Sequence, residues 1–153
     1  MMTGSRLLAT FVLGDLHCAV EVERVQEIIR YQEMTRVPLA PSVVRGLINL
    51  RGQIVTAIDL RRRLELNDRP ADQLPVNVVV HTDDGAVSLL VDEIGDVLAV
   101  PENAFERPPE TLQGTALELI RGAYKLDDRL LLILDTDRTV NVSAGTRGYD
   151  MTE

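Results

Sequence analysis

Val44-Arg45-Gly46-Leu47-Ile48-Asn49-Leu50-Arg51-Gly52-Gln53-Ile54-Val55-Thr56-Ala57-Ile58-Asp59-Leu60 decides the fold, because it returns in weaker form as Ile120-Arg121-Gly122 through Leu130-Leu131-Leu132-Ile133-Leu134-Asp135. The offset is 76 residues, 120 minus 44, without a gap. Arg45/Arg121, Gly46/Gly122, Leu50/Leu126 and Asp59/Asp135 are identical pairs, while Val44/Ile120, Ile54/Leu130 and Ile58/Leu134 keep apolar character. A repeated supersecondary unit predicts two similarly folded subdomains packed together, which directs the search for function to the seam between them. Residues 44 to 60 are expected to superpose on 120 to 136.

The repeat extends upstream. Leu7 to Leu13 and His17 to Val22 are β-type runs around Gly14-Asp15, and Val76 to His81 with Ala86 to Val91 repeat that hairpin around Asp83-Asp84-Gly85. An acidic-apolar stretch follows each hairpin, Glu23 to Ile29 and Asp92 to Leu98. A proline-bearing loop comes next, Arg36 to Pro41 and Glu106 to Pro109, where proline removes a ladder donor and stiffens the chain. The predicted fold is therefore all-β. Leu130 to Leu134 is apolar at every position and reads as a strand buried on both faces, with Ile54 to Ile58 nearly so. Short helical turns are expected only at Leu60 to Leu66, at Thr115 to Ile120 and, as a third, at Glu27 to Tyr31. The single domain is expected over 7–142, as unit 1 (about 7–66), linker 67–75 and unit 2 (about 76–142), with flexible termini at 1–6 and 143–153.

With 153 residues, 45% of them hydrophobic, the chain has enough apolar material for a core. Its 16 Lys and Arg against 24 Asp and Glu leave a net charge of −8, which repels phosphate and disfavours nucleic acid or an anionic membrane as main partner. One cysteine, Cys18, excludes an internal disulfide, and no apolar run approaches the ~18 residues of a membrane span. The expected setting is cytoplasmic.

Catalytic chemistry has few candidates. His17 and His81 are the only histidines, and His17 and Cys18 alternate across a strand, so they point to opposite faces and cannot chelate one metal. Asp59 and Asp135 hold the same place in the repeat; each is expected to accept backbone hydrogen bonds from the turn after its strand rather than to act as an acid or base. No metal ligand set, phosphate loop or cofactor motif is present, and the expectation is of no enzyme and no cofactor. Arg45, Arg51 and Arg61 to Arg63 cluster within 19 positions. Arg61 to Arg63 read as the solvated face of a short helix. Arg51 differs, standing in a tight Asn-Leu-Arg-Gly turn that holds a guanidinium out toward a partner's carboxylate or carbonyl.

These blocks together resemble the CheW-type chemotaxis coupling proteins. The resemblance rests on Val25-Gln26-Glu27-Ile28, Val37-Pro38, Arg45 to Val55 with Ile58-Asp59-Leu60-Arg61, Val91-Asp92-Glu93-Ile94, and Gly122 with Leu126-Asp127-Asp128-Arg129-Leu130, in the family's order from about Leu7 to Val142. Thr56 stands where the family usually has proline. The resemblance implies two small five-stranded β-barrels, SH3-like or OB-like, that exchange segments across a shared apolar interface. It further implies a non-catalytic adaptor joining the cytoplasmic tip of methyl-accepting chemoreceptors to the regulatory domain of the chemotaxis histidine kinase, touching membrane only through receptors. Carried over by position, the receptor-contacting residues are Val25, Glu27, Gly46, Arg51, Ile94 and Val97, all expected at the seam. Kinase contacts are expected at the barrel ends, at Gly122 and in the loop Glu106 to Leu112.

An OB-type single-strand nucleic-acid binder is the competing reading, since small five-stranded barrels serve that role too. Three Tyr, two Phe and no Trp offer little to stack on bases, and the charge is wrong.

Overall fold

The computed structural model describes residues 4–112 and 114–142. Residues 1–3 and 143–153, and with them most of the expected flexible termini, lie outside the described residues. The first strand already begins at Ser5.

Ten strands follow one another as β1 (Ser5–Leu13), β2 (Leu16–Glu21), β3 (Val25–Ile29), β4 (Val44–Leu50), β5 (Gln53–Asp59), β6 (Val76–Thr82), β7 (Gly85–Val91), β8 (Glu93–Pro101), β9 (Ile120–Lys125) and β10 (Leu130–Leu134). Three short helices are α1 (Leu60–Arg63), α2 (Gly114–Leu119) and α3 (Thr136–Val140). The strands form two five-stranded sheets, ordered β8-β1-β2-β10-β9 and β3-β6-β7-β5-β4. If β6 to β10 are numbered as repeats of β1 to β5, both sheets read 3-1-2-5-4. Each sheet takes its leading hairpin from one repeat and its remaining three strands from the other. This is the implied segment exchange: β3 leaves its own hairpin to pair with β6, and β8 pairs with β1.

Side-chain alternation explains why the strands are so apolar. On β1, β2 and β10, Leu8, Ala19, Leu131 and Ile133 fill the inside of the first sheet with Val100 and Tyr124. Ile48, Leu50, Val55 and Val79 fill the second. The opposite faces supply Phe11, Cys18, Val20 and Leu132 to one shared core, which Ile58, Val78, Val80 and Leu89 complete from the second sheet and Leu60 from α1. Of Leu130 to Leu134, Leu131 to Leu134 are accordingly buried on both faces, as expected, while Leu130 is half-buried. The parallel expectation for Ile54 to Ile58 holds only in part, because Ile54 sits beside the β4–β5 turn and is 60% exposed.

Both repeats end alike. Asp59 caps α1 by accepting from the Arg61 N–H (3.1 Å), and Asp135 caps α3 by accepting from the Arg138 N–H (3.0 Å). The repeat symmetry that pairs the two aspartates is thus a pair of N-caps. Of the expected helices, Glu27 to Tyr31 does not form: Glu27, Ile28 and Ile29 are strand and pair with Val79, Val78 and Asn77, and Arg30 and Tyr31 lie beyond the strand's end. β-branched residues and a ladder partner outweigh the helical spacing there. Helix α3 was not anticipated, although Asp135 repeats the cap of α1.

Candidate partner-binding site

The β4–β5 hairpin turns through Arg51 (φ 51°) and Gly52 (φ 91°), two consecutive positive φ values of the kind a two-residue turn needs to match strand twist. Asn49 stabilises it by accepting the Gly52 N–H (2.8 Å). Arg51 is 73% exposed at the side chain, yet it reaches across to form an ion pair with Glu27 on β3. The two outer strands of the second sheet are thereby joined at one end, with Arg51 and Glu27 adjacent and Val25 two residues from Glu27 on the same strand. Val25 leans on the shared core.

Gly46 lies within β4, not in a turn. A Cβ there would stand 2.6 Å from the Thr35 carbonyl oxygen, because Thr35 and Leu47 exchange backbone hydrogen bonds of 2.9 and 2.8 Å alongside it. Gly122 repeats this on β9: a Cβ would overlap the Phe105 ring and stand 2.5 Å from the Glu106 oxygen, where Glu106 and Ala123 exchange bonds of 2.8 and 2.9 Å. Close backbone approach therefore accounts for both glycines. Both are buried beneath the segment lying over them.

Ile94 and Val97 do not join the first four residues on one sheet. They lie on β8, the outer strand of the other sheet, opposite Phe11 and Ala9 of β1. Ile94 is 37% and Val97 61% exposed. A β-bulge between Ala9 and Phe11 and a hydrogen bond from Thr10 Oγ1 to the Asp96 carbonyl (2.6 Å) set their local geometry. Segment exchange thus puts Val25 on β3 of one sheet and Ile94 and Val97 on the symmetry-equivalent β8 of the other. The seam itself is filled by the shared core.

At the far end of the first sheet, Glu106 is exposed and faces Lys125 at 3.9 Å. Phe105 stacks edge-on against Tyr124, with centroids 5.4 Å apart. Leu112 is half-buried against the shared core.

The arginines after Asp59 are not a solvated face. Arg61 makes a two-pronged ion pair with Asp92, which also accepts the Gly14 N–H (2.7 Å) and Arg69 Nε (3.1 Å). Arg63 is buried and donates to the carbonyls of Thr139 (2.8 Å) and Arg138 (2.8 Å), closing the end of α3. Arg69 also faces buried Asp59 at 3.5 Å, as Arg45 does at 3.2 Å. One buried cluster thus ties the β1–β2 turn, α1, the inter-repeat linker and the start of β8. Burial raises the Asp92 pKa, but hydrogen bonds from Arg61 and Gly14 and the two guanidinium charges outweigh it and leave the carboxyl below its ordinary value. The sequence marks Asp92 only as part of a Val-Asp block.

Chemical machinery is sparse. Burial pushes the Cys18 thiol up to about 12, far from a reactive thiolate. Arg129 donates to His17 Nδ1 (3.2 Å), and His81 lies against the Glu23 carbonyl (2.7 Å). Among the described residues no group of three or more His, Cys, Asp or Glu is placed to hold a metal ion.

Comparison with known proteins bears on this arrangement. The chemotaxis protein CheW of Bacillus subtilis (strain 168) is 33% identical over 139 residues, covering 91% of this chain and 88% of that protein. CheW of Treponema pallidum (strain Nichols) is 30% identical over 132 residues, covering 84% and 78%. The crystal structure of the scaffolding protein TtCheW from Thermoanaerobacter tengcongensis superposes with a TM-score of 0.78 at 26% identity, covering 88% of this chain and 90% of that one. The family model for the CheW-like domain matches residues 8–144, a span that includes both sheets and every candidate site residue, and the chain belongs to that family.

Proposed function

We propose that this chain is a non-catalytic signalling scaffold that couples methyl-accepting chemoreceptors to the chemotaxis histidine kinase by binding both. The observation that carries this reading is the family match over 8–144, with relatives named as chemotaxis and scaffolding proteins along most of their length. In this reading the receptor tip meets the exposed end of the second sheet, where Arg51 and Glu27 set register beside Val25 above buried Gly46, and extends to Ile94 and Val97 on β8. The kinase regulatory domain meets the other end, around Glu106, Leu112 and the segment held over Gly122. Receptors bring the chain to the membrane from the cytoplasm; no helix among the described residues is long and apolar enough to cross it. Nothing favours the single-strand nucleic-acid alternative, which the family match and the charge of −8 oppose.

Pull-down against a receptor cytoplasmic hairpin and a kinase regulatory domain, with fluorescence titration of an oligonucleotide as control, tests the proposal. Retention of both protein fragments without oligonucleotide binding is expected. Binding of the oligonucleotide alone would overturn it.

Substituting Arg51 with Glu is expected to weaken receptor binding by about 1–3 kcal/mol, since a reversed charge meets the partner while the fold persists. Glu27 would then face a like charge, but an exposed pair of this kind contributes only about 0–1 kcal/mol to stability. Isothermal titration of the folded variant decides: equal loss of receptor and kinase affinity, or no loss of either, removes Arg51 from the receptor site.

A further inference from the structure

A cavity of about 580 Å³ opens between the proline loop and the start of β4, walled by Tyr31, Met34 and residues 36–42. Three of its lining residues are arginines, Arg36, Arg45 and Arg62, and none is acidic, in a chain whose acidic residues outnumber basic ones 24 to 16. We propose that this cavity binds an acidic segment of a protein partner, one that presents a carboxylate flanked by apolar side chains. The site shares no residue with the receptor-facing set and does not depend on that assignment.

Charge accounting supports an anionic occupant. Arg45 and Arg69 both lean on the Asp59 carboxylate, with Arg62 at 4.0 Å, while Arg61 and Arg69 share Asp92 and Arg62 pairs with Asp68. Together with Arg36 these are five guanidiniums against three carboxylates, a surplus of two positive charges. Arg36 is exposed and makes no hydrogen bond or ion pair among the described residues. A guanidinium in that state keeps all five donors for an incoming carboxylate.

The cavity is also pre-shaped. Pro38 and Pro41 fix the loop, Ala40 donates to the Val37 carbonyl (3.3 Å) and Val44 to that of Pro41 (2.9 Å). Arg62 ties the loop to α1 by donating to the Ser42 carbonyl (3.0 Å). Little ordering is left for a ligand to impose. Val37 and Leu39 on the loop are 38% and 84% exposed. Apolar residues beside an arginine pocket fit a polypeptide, with side chains on either side of its carboxylate, better than a free small anion.

The test uses a fluorescein-labelled peptide of alternating Glu and Leu, followed by anisotropy with the full chain. The Glu peptide is expected to bind, its Gln counterpart to bind at least tenfold more weakly, and affinity to fall as salt rises. Arg36→Glu is expected to lose at least tenfold. Arg138→Glu, which makes the same change in net charge at an exposed position of α3 outside the cavity, is expected to lose less than twofold. Equal losses in the two variants, equal binding of the Gln peptide, or displacement of the peptide by millimolar inorganic phosphate would each overturn the proposal, the last by assigning the cavity to a small anion. Arg36 carries no intramolecular bond among the described residues, so its variant is expected to fold; matching thermal midpoints confirm that the loss is of binding.

Discussion

Asp92→Ala is expected to lose about 3–5 kcal/mol of unfolding free energy, the largest single-residue effect outside the apolar core. The carboxylate is buried and accepts from Arg61, from Arg69 and from the Gly14 N–H, so truncation leaves two guanidiniums and a backbone donor facing a gap. Arg61 sits on α1 at the end of the first repeat and Gly14 in the β1–β2 turn, while Asp92 leads into β8 of the second repeat; losing their common acceptor loosens the junction between the exchanged segments. Chemical denaturation measures the effect, and a loss under 1 kcal/mol would show the cluster to be dispensable. The pH dependence has a fixed sign. The folded carboxyl titrates below its unfolded value of about 3.9, so its contribution is complete above that pH and disappears as pH falls through the folded value. Wild-type stability should therefore drop more steeply below about pH 4 than that of Asp92→Asn, which has no carboxyl to protonate.

Gly122→Ala is expected to destabilise by about 2–3 kcal/mol even though it adds a single methyl group. The new Cβ would overlap the Phe105 ring and stand 2.5 Å from the Glu106 carbonyl oxygen, so either the ring leaves its edge-on contact with Tyr124 or the Glu106–Ala123 bridge opens. The double variant with Phe105→Ala separates the two routes. It should lose less than the sum of the single changes, because the clash and the ring are removed together. Additive losses would mean that the ring is not the obstacle. Gly46→Ala on the symmetry-equivalent strand meets backbone rather than a movable ring, and no side-chain truncation should relieve it.

The hairpins β1–β2 and β6–β7 were legible to within two residues, because alternation, turn glycines and the repeat all agree there. What local pattern does not contain is the partner of each strand. The sequence of Val25 to Ile29 says that it is apolar and β-branched, not that it pairs with Val76 to Thr82 some fifty residues on, and its spacing suits a helix equally well until that partner is known. The exchange was available only through the family resemblance. The same limit applies to the site. Arg51 is readable from its turn, whereas nothing in the neighbourhood of Gly46 or Gly122 announces the backbone of Thr35 or Glu106 lying over them. Ile94 and Val97 come from the segment equivalent to that of Val25, and which sheet each segment joins is likewise absent from local pattern. Asp92, Arg61 and Arg69 come together across 23 to 31 residues of chain, and Arg61 and Arg63 read as solvated for the same reason. Helix α3 is the one element that the repeat itself could have supplied, from Asp135 matching Asp59.

Coupling requires both partners on one chain at once, through separate ends of the molecule. Titrating the kinase regulatory domain calorimetrically into this protein, first free and then saturated with a receptor cytoplasmic hairpin, measures that directly. The account predicts one kinase domain bound per chain in both titrations, with dissociation constants within threefold of each other. Loss of the kinase binding heat in the receptor-saturated protein, with the receptor released, would show the two partners competing for one surface and would contradict the scaffold reading.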